Sequence, residues 1–159
     1  MINRTLCATF AAAVLVLAPA ASAAGKTETL RFYSKTDKLT LVKADGTAVQ
    51  PGPGVEPAPG DRLEIFASDY VGTHRKHAKR ATGSEHVVCT FSTAPEPDCI
   101  AHVAIGGSML IFRGFPGTLI GGDGKYLGAT GKVLSNKQIP GTNDSDVVAR
   151  IKLAWARRR

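Results

Sequence analysis

From Glu28 onward, glycine, proline, aspartate and asparagine cut the chain into short apolar runs, and most of these runs carry no helical period. That punctuation confines the fold to antiparallel strands joined by turns, an all-β class. The candidate strands are Glu28 to Ser34, Leu39 to Ala44, Leu63 to Tyr70, His77 to Phe91 with a bend near Gly83, Cys99 to Ile105, Ser108 to Phe112, Tyr126 to Leu134 and Val147 to Trp155, with a short one at Thr118 to Ile120. Two of them alternate cleanly. Ala149, Ile151, Leu153 and Trp155 share one face against Arg150 and Lys152, and Leu63, Ile65, Ala67 and Asp69 share one face against Arg62, Glu64, Phe66 and Ser68. Alternation of this kind predicts one face inward and one face wet. Met109-Leu110-Ile111-Phe112 is apolar on both faces, which suits a strand buried on both sides or covered by a neighbouring subunit.

The first residues follow the pattern of a cleavable secretory leader: Arg4 near the start, an apolar stretch from Leu6 to Ala18, Pro19, and a small-residue site at Ala21-Ser22-Ala23. A membrane anchor fits less well, because the uncharged stretch is largely alanine and is interrupted by Pro19. The expected organisation is therefore a signal peptide over residues 1–23 and one soluble, secreted domain over 24–159, with no stable membrane insertion. Removing the leader takes away Arg4 and lowers the formal charge of +7 to about +6. The positive charge is spread along the chain and aromatics are few, so nucleic acid is not expected as a partner. Cleavage also removes Cys7, leaving Cys89 and Cys99 to form one disulfide across a hairpin whose turn lies in Thr93-Ala94-Pro95-Glu96-Pro97.

Residues 51–60 hold four prolines and three glycines and read as an extended, exposed connection rather than a strand. The cluster Thr73-His74-Arg75-Lys76-His77-Ala78-Lys79-Arg80 reads as a solvated loop running into a strand, and residues 156–159 as a basic tail. If Cys89 faces Cys99, His86 faces His102 on the opposite side of the same hairpin, while Glu85 points to the other face. Two histidines without a third ligand make no metal site, and no metal is expected. No Gly-x-Ser-x-Gly elbow is present to support serine-hydrolase chemistry.

Several short antiparallel strands are satisfied by a sandwich or by a closed barrel, and closure removes exposed edges. A narrower answer comes from the run Leu119-Ile120-Gly121-Gly122-Asp123-Gly124-Lys125-Tyr126-Leu127-Gly128-Ala129-Thr130-Gly131-Lys132-Val133, which resembles the Gly-rich turn and strand of the allene oxide cyclase and dirigent barrel family. Pro59-Gly60-Asp61-Arg62-Leu63-Glu64-Ile65-Phe66-Ala67-Ser68-Asp69-Tyr70 resembles a second strand of that family, and the Cys89 and Cys99 strands look like its bacterial secreted branch. The resemblance spans roughly residues 28 to 154. It implies a single closed antiparallel eight-stranded β-barrel with a largely apolar lumen, assembled as a homodimer or homotrimer, that needs no cofactor. It also implies a ring-forming or chirality-directing role on an apolar small molecule. In the Gly-rich turn, Gly121, Gly122 and Gly124 would supply positive φ and close backbone approach, with Tyr126 opening the following strand. Dirigent proteins tend to show two adjacent acids where this chain has Ser68-Asp69, so only Asp69 can take that place.

In such a barrel, alternation puts Phe32, Leu63, Ile65, Ile151 and Leu153 on the ligand-lining face, with Leu30 beside Phe32. The same parity turns Asp69 inward, where it would serve as a catalytic acid; the bland alternative is an aspartate that stops the strand by bonding backbone groups of the following turn. Two other functions compete with a cyclase or isomerase: a lipocalin-like carrier that performs no chemistry, and a structural secreted barrel with a filled interior. The cysteine and leader readings make a joint prediction. Intact-mass measurement of the exported protein should give a chain beginning near Ala24 that gains two hydrogen atoms on reduction; two free thiols would remove the hairpin register and the His86–His102 pairing together.

Overall fold

The computed structural model describes residues 25–154, so the leader with Cys7, Trp155 and the basic tail lie outside the described residues. Ten strands follow in order: β1 (Thr27–Val42), β2 (Ala48–Val49), β3 (Arg62–Thr73), β4 (Lys76–His77), β5 (Gly83–Thr90), β6 (Asp98–Ile105), β7 (Ser108–Arg113), β8 (Thr118–Gly122), β9 (Thr130–Gln138) and β10 (Ser145–Lys152). A single 3₁₀ turn, Gly124–Tyr126, separates β8 from β9. Eight strands pair in the order β1-β10-β9-β8-β7-β6-β5-β3, and β3 pairs back onto β1. The result is a closed, antiparallel, eight-stranded barrel, while β2 and β4 are two-residue additions to β1 and β3.

Closure depends on the length of β1. Thr27 to Ser34 pair with β10, and Phe32 to Val42 pair with β3, so one strand serves two neighbours. The sequence pattern suggested two strands here, Glu28 to Ser34 and Leu39 to Ala44. They are one, because a bulge between Thr36 and Lys38 reverses the parity of the inward residues without breaking the ladder. Phe32 and Ser34 are buried before the bulge and Leu41 after it. Two further bulges act in the same way: Ile120 is extra between β7 and β8, and Leu134 between β10 and β9.

Three other sequence expectations are corrected. The stretch His77 to Phe91 is not a bent strand but two strands, β4 and β5, with a break between them. Tyr126 does not open β9; it ends the 3₁₀ turn, with its ring buried, and β9 begins four residues later at Thr130. Of Gly121, Gly122 and Gly124, only Gly124 has positive φ, at 51°. Gly122 is extended, and its lack of a side chain serves close approach, since a Cβ there would lie 2.9 Å from the carbonyl oxygens of Met109 and Tyr126. Gly121 has ordinary space around it.

Cys89 and Cys99 face each other on β5 and β6 and form a disulfide, and three steps along the same register His86 faces His102. The inward face is largely apolar, apart from Ser34, Asp69, Glu85 and Asn136. At the barrel end carrying the 3₁₀ turn, Val103, Leu110, Phe112, Leu119, Tyr126, Ala149, Ile151 and Leu153 pack into one cluster that plugs the interior. Ile151 is fully buried, with exposed Arg150 and Lys152 on either side of it. Truncating Ile151→Ala should therefore cost about 2–5 kcal/mol in urea denaturation. The neighbouring Arg150→Ala should stay within about 0.5 kcal/mol of the parent chain.

Candidate functional site

Above the plug the barrel is hollow. A cavity of about 160 Å³ is walled by inward residues of β1, β3, β5, β6, β7, β9 and β10 and by Gly114-Phe115-Pro116-Gly117, the connection between β7 and β8. An engineered apolar cavity of about 150 Å³ accepts a benzene ring, so the space suits a small ring system. Phe115 is 70% exposed yet lines the cavity, which marks the 114–117 connection as its mouth. Small side chains make the room: Ala101 on β6 and Ala149 on β10 stand where larger residues would close it. Beside the mouth, β8 meets β9 at one ladder position, Thr118 with Lys132, supported by the Val133 N–H donating to the Gly117 carbonyl at 2.8 Å.

Among the residues singled out by sequence, Phe32 and Ile65 stand on the cavity wall, as does Leu30. Leu63 lies past the cavity, half-buried opposite Leu41 and Cys89. Ile151 and Leu153 point inward but belong to the packed plug, where no space remains for a ligand. Cys89 and Cys99 present their disulfide to the cavity. The histidine pair lies on the outer surface, where His86 stacks on Phe66 with ring centroids 4.2 Å apart. No group of three or more possible metal ligands exists among the described residues.

The inward residues of β5 run Glu85, Val87, Cys89, so Glu85 lies at the far end of the wall from the disulfide. There it meets Asp69 of β3 and Ser34 of β1. Ser34 pairs with Asp69 in the β1–β3 ladder and donates its hydroxyl to Glu85 Oε2 at 3.0 Å. Asp69 is 2% exposed, and its Oδ2 is buried with no hydrogen-bond partner. The strand-stopping duty falls to its backbone instead, whose carbonyl accepts the Thr82 N–H at 2.8 Å. Burial pushes the Asp69 carboxyl up to about 7, the negative Glu85 beside it adds to the rise, the Ser34 hydroxyl opposes it, and Asp37 adds a little more. Burial raises Glu85 as well, with Ser34 again opposing.

Asp61, eight residues earlier on the same strand approach, shows the contrast. It is equally buried but accepts hydrogen bonds from Lys43 Nζ at 2.8 Å, the Ala44 N–H at 3.0 Å and the Ala58 N–H at 2.8 Å. Those donors hold its carboxyl below the usual range and tie down the proline-rich connection. Asp61 is a fastener; Asp69 has nothing to fasten. Sequence reading reached Asp69 by parity but missed Glu85 and Asn136 on the cavity wall and Ser34 beside the two acids. For Glu85 the signal was available, since the same register that faces Cys89 with Cys99 sends Glu85 to the disulfide side.

No protein-family model matches the chain, and no curated protein matches it. Solved structures do. A pyocyanin demethylase is 17% identical with a TM-score of 0.52, covering 79% of this chain and 99% of its own. A pterocarpan synthase dirigent protein is 17% identical with a TM-score of 0.50, covering 92% of this chain and 98% of its own. The fold is a dirigent-like barrel. In this dirigent-like barrel the acids at the depth of the lumen carry a stability signature. Below about pH 4 Asp69 holds its proton in folded and unfolded chains alike and exacts no penalty. As pH rises toward 7 the unfolded chain ionises first and the folded state loses stability, by at most about 4 kcal/mol once Asp69 is charged. Asp69→Asn should remove that loss, giving a protein more stable than the parent above pH 7 and indistinguishable below about pH 4 in denaturation curves taken across the range.

Proposed function

We propose that the chain is an exported barrel that encloses an apolar small molecule and directs a ring-closing or stereochemical step on it, with Asp69 as the proton donor. The observation that carries this reading is that Asp69, with one carboxyl oxygen buried and unpartnered, stands beside Glu85 on the wall of an open-mouthed and largely apolar cavity. A structural barrel would fill its interior, as this one does at the plugged end, and a buried acid without a partner is destabilising unless a ligand uses it. An acid poised near neutral pH suits proton transfer to or from a confined intermediate, and the enclosing wall limits the shapes that intermediate can take. Related folds host chemistry in other chains, since the similar structures are named for a demethylase and a synthase. Export rests on the leader pattern of residues 1–23 and is consistent with the Cys89–Cys99 disulfide.

Native mass spectrometry of protein purified from its own source tests the binding half of the reading. The parent chain should carry a non-covalent apolar adduct, and Ala101→Phe, which fills the cavity from β6, should lose it. Once that molecule is identified, Asp69→Asn should still bind it but convert it on the order of a hundredfold more slowly or worse, in line with the loss of a general acid. Full-rate conversion by the variant would remove the acid role, and binding without any conversion by the parent chain would leave a carrier.

A further inference from the structure

The lumen holds two carboxyl groups, Asp69 and Glu85, and among the described residues no lysine, arginine or histidine lines it. The only other polar side chain on the wall is Asn136. Elsewhere the buried acid of this barrel is matched by a cation, as Asp61 is by Lys43. The groups around Asp69 do not balance it either: from β1 come Ser34 and Asp37, and from β5 comes Glu85. Asp37 is turned outward, accepting the Ser68 hydroxyl at 2.6 Å. The acidic end of the cavity is thus electrostatically incomplete, since one carboxyl oxygen of the wall residue Asp69 is buried with no donor to meet it. Ionised carboxylates in low-dielectric surroundings are matched by a partner of opposite charge or give up their charge.

We infer that the occupant of the lumen is a small aromatic or alicyclic molecule bearing one protonated nitrogen, its ring in the apolar wall and its cationic N–H at Asp69 and Glu85. This rests only on the binding half of the proposed function: with a cation bound, Asp69 is ionised and acts as its counter-ion, not as a proton donor. Volume limits the body to about one ring system, since a cavity of about 150 Å³ takes benzene. Charge selects the head: a hydroxyl would satisfy the free Asp69 oxygen but leave the second acid uncompensated, whereas an ammonium or ring-nitrogen cation offsets the charge that burial makes costly. The lysines and arginines among the described residues lie off the cavity wall, so the ligand meets only the two acids inside.

Calorimetric titration of the full exported chain with three matched probes tests this: benzylamine, benzyl alcohol and toluene. At about pH 8 benzylamine should bind at least about tenfold more tightly than benzyl alcohol, the scale of one charge-assisted contact in an enclosed site. The preference should shrink toward nothing by about pH 5, where Asp69 regains its proton. Asp69→Asn should abolish the preference while toluene binding persists, and Glu85→Gln should reduce it. If the neutral probes bind and benzylamine binds no better, the cationic ligand class is wrong and the binding barrel stands. If none of the three binds to a chain that is folded by circular dichroism, the small-molecule reading falls with it.

Discussion

The pairing of β1 with β3 is the interaction on which the rest of the molecule depends. Every other strand contact follows the chain from neighbour to neighbour, apart from the return of β10 to β1, and would leave an open sheet. Because β1 runs sixteen residues and bulges at Asp37, its first half can hold β10 while its second holds β3. Closure turns one face of the sheet into an enclosed interior, and alternation then delivers Phe32, Ile65, Val87 and Val103 to it from separate strands. The same pairing sets Ser34 beside Asp69, so the strand that closes the barrel also carries the hydroxyl that stands between its two acids.

Bulges divide the interior into a filled end and a hollow one. At Leu134 the extra residue lets Val133 and Asn136 both face inward, opposite Ala149 and Val147. At Ile120 it lets Leu119 enter the plug while Ile120 itself stays 56% exposed. The plug supplies the apolar burial that holds a barrel of this size together, and the hollow end gives up some of that burial for space. The carboxyls sit on the hollow part of the wall with no cation at hand, and burial, joined at Asp69 by the charge of Glu85, raises their proton affinities. The outer face has its own polar atom without a hydrogen-bond partner, Nε2 of His86, whose ring stacks on Phe66. It faces away from the lumen and has no part in the site.

Much of this was written into the sequence, because a strand's period of two is a local property. Turn residues marked off the strands, alternation separated Ile151 from Arg150 and turned Asp69 inward, and two cysteines at hairpin spacing set the register that faces His86 with His102. What the sequence left open are the quantities that depend on contacts between distant strands. A bulge is invisible in a pattern of alternation, since it looks like the end of one strand and the start of another; hence β1 read as two strands. Tyr126 read as a strand residue because an aromatic followed by small residues fits a strand as well as a 3₁₀ turn. Parity told which residues face inward but not how deep each lies, so Leu63, Ile151 and Leu153 could not be separated from Phe32 and Ile65. Only the closed barrel decides which inward positions meet packed neighbours and which meet empty space, and only there do Asp69 and Glu85, sixteen residues apart on separate strands, become one acidic site without a counter-charge.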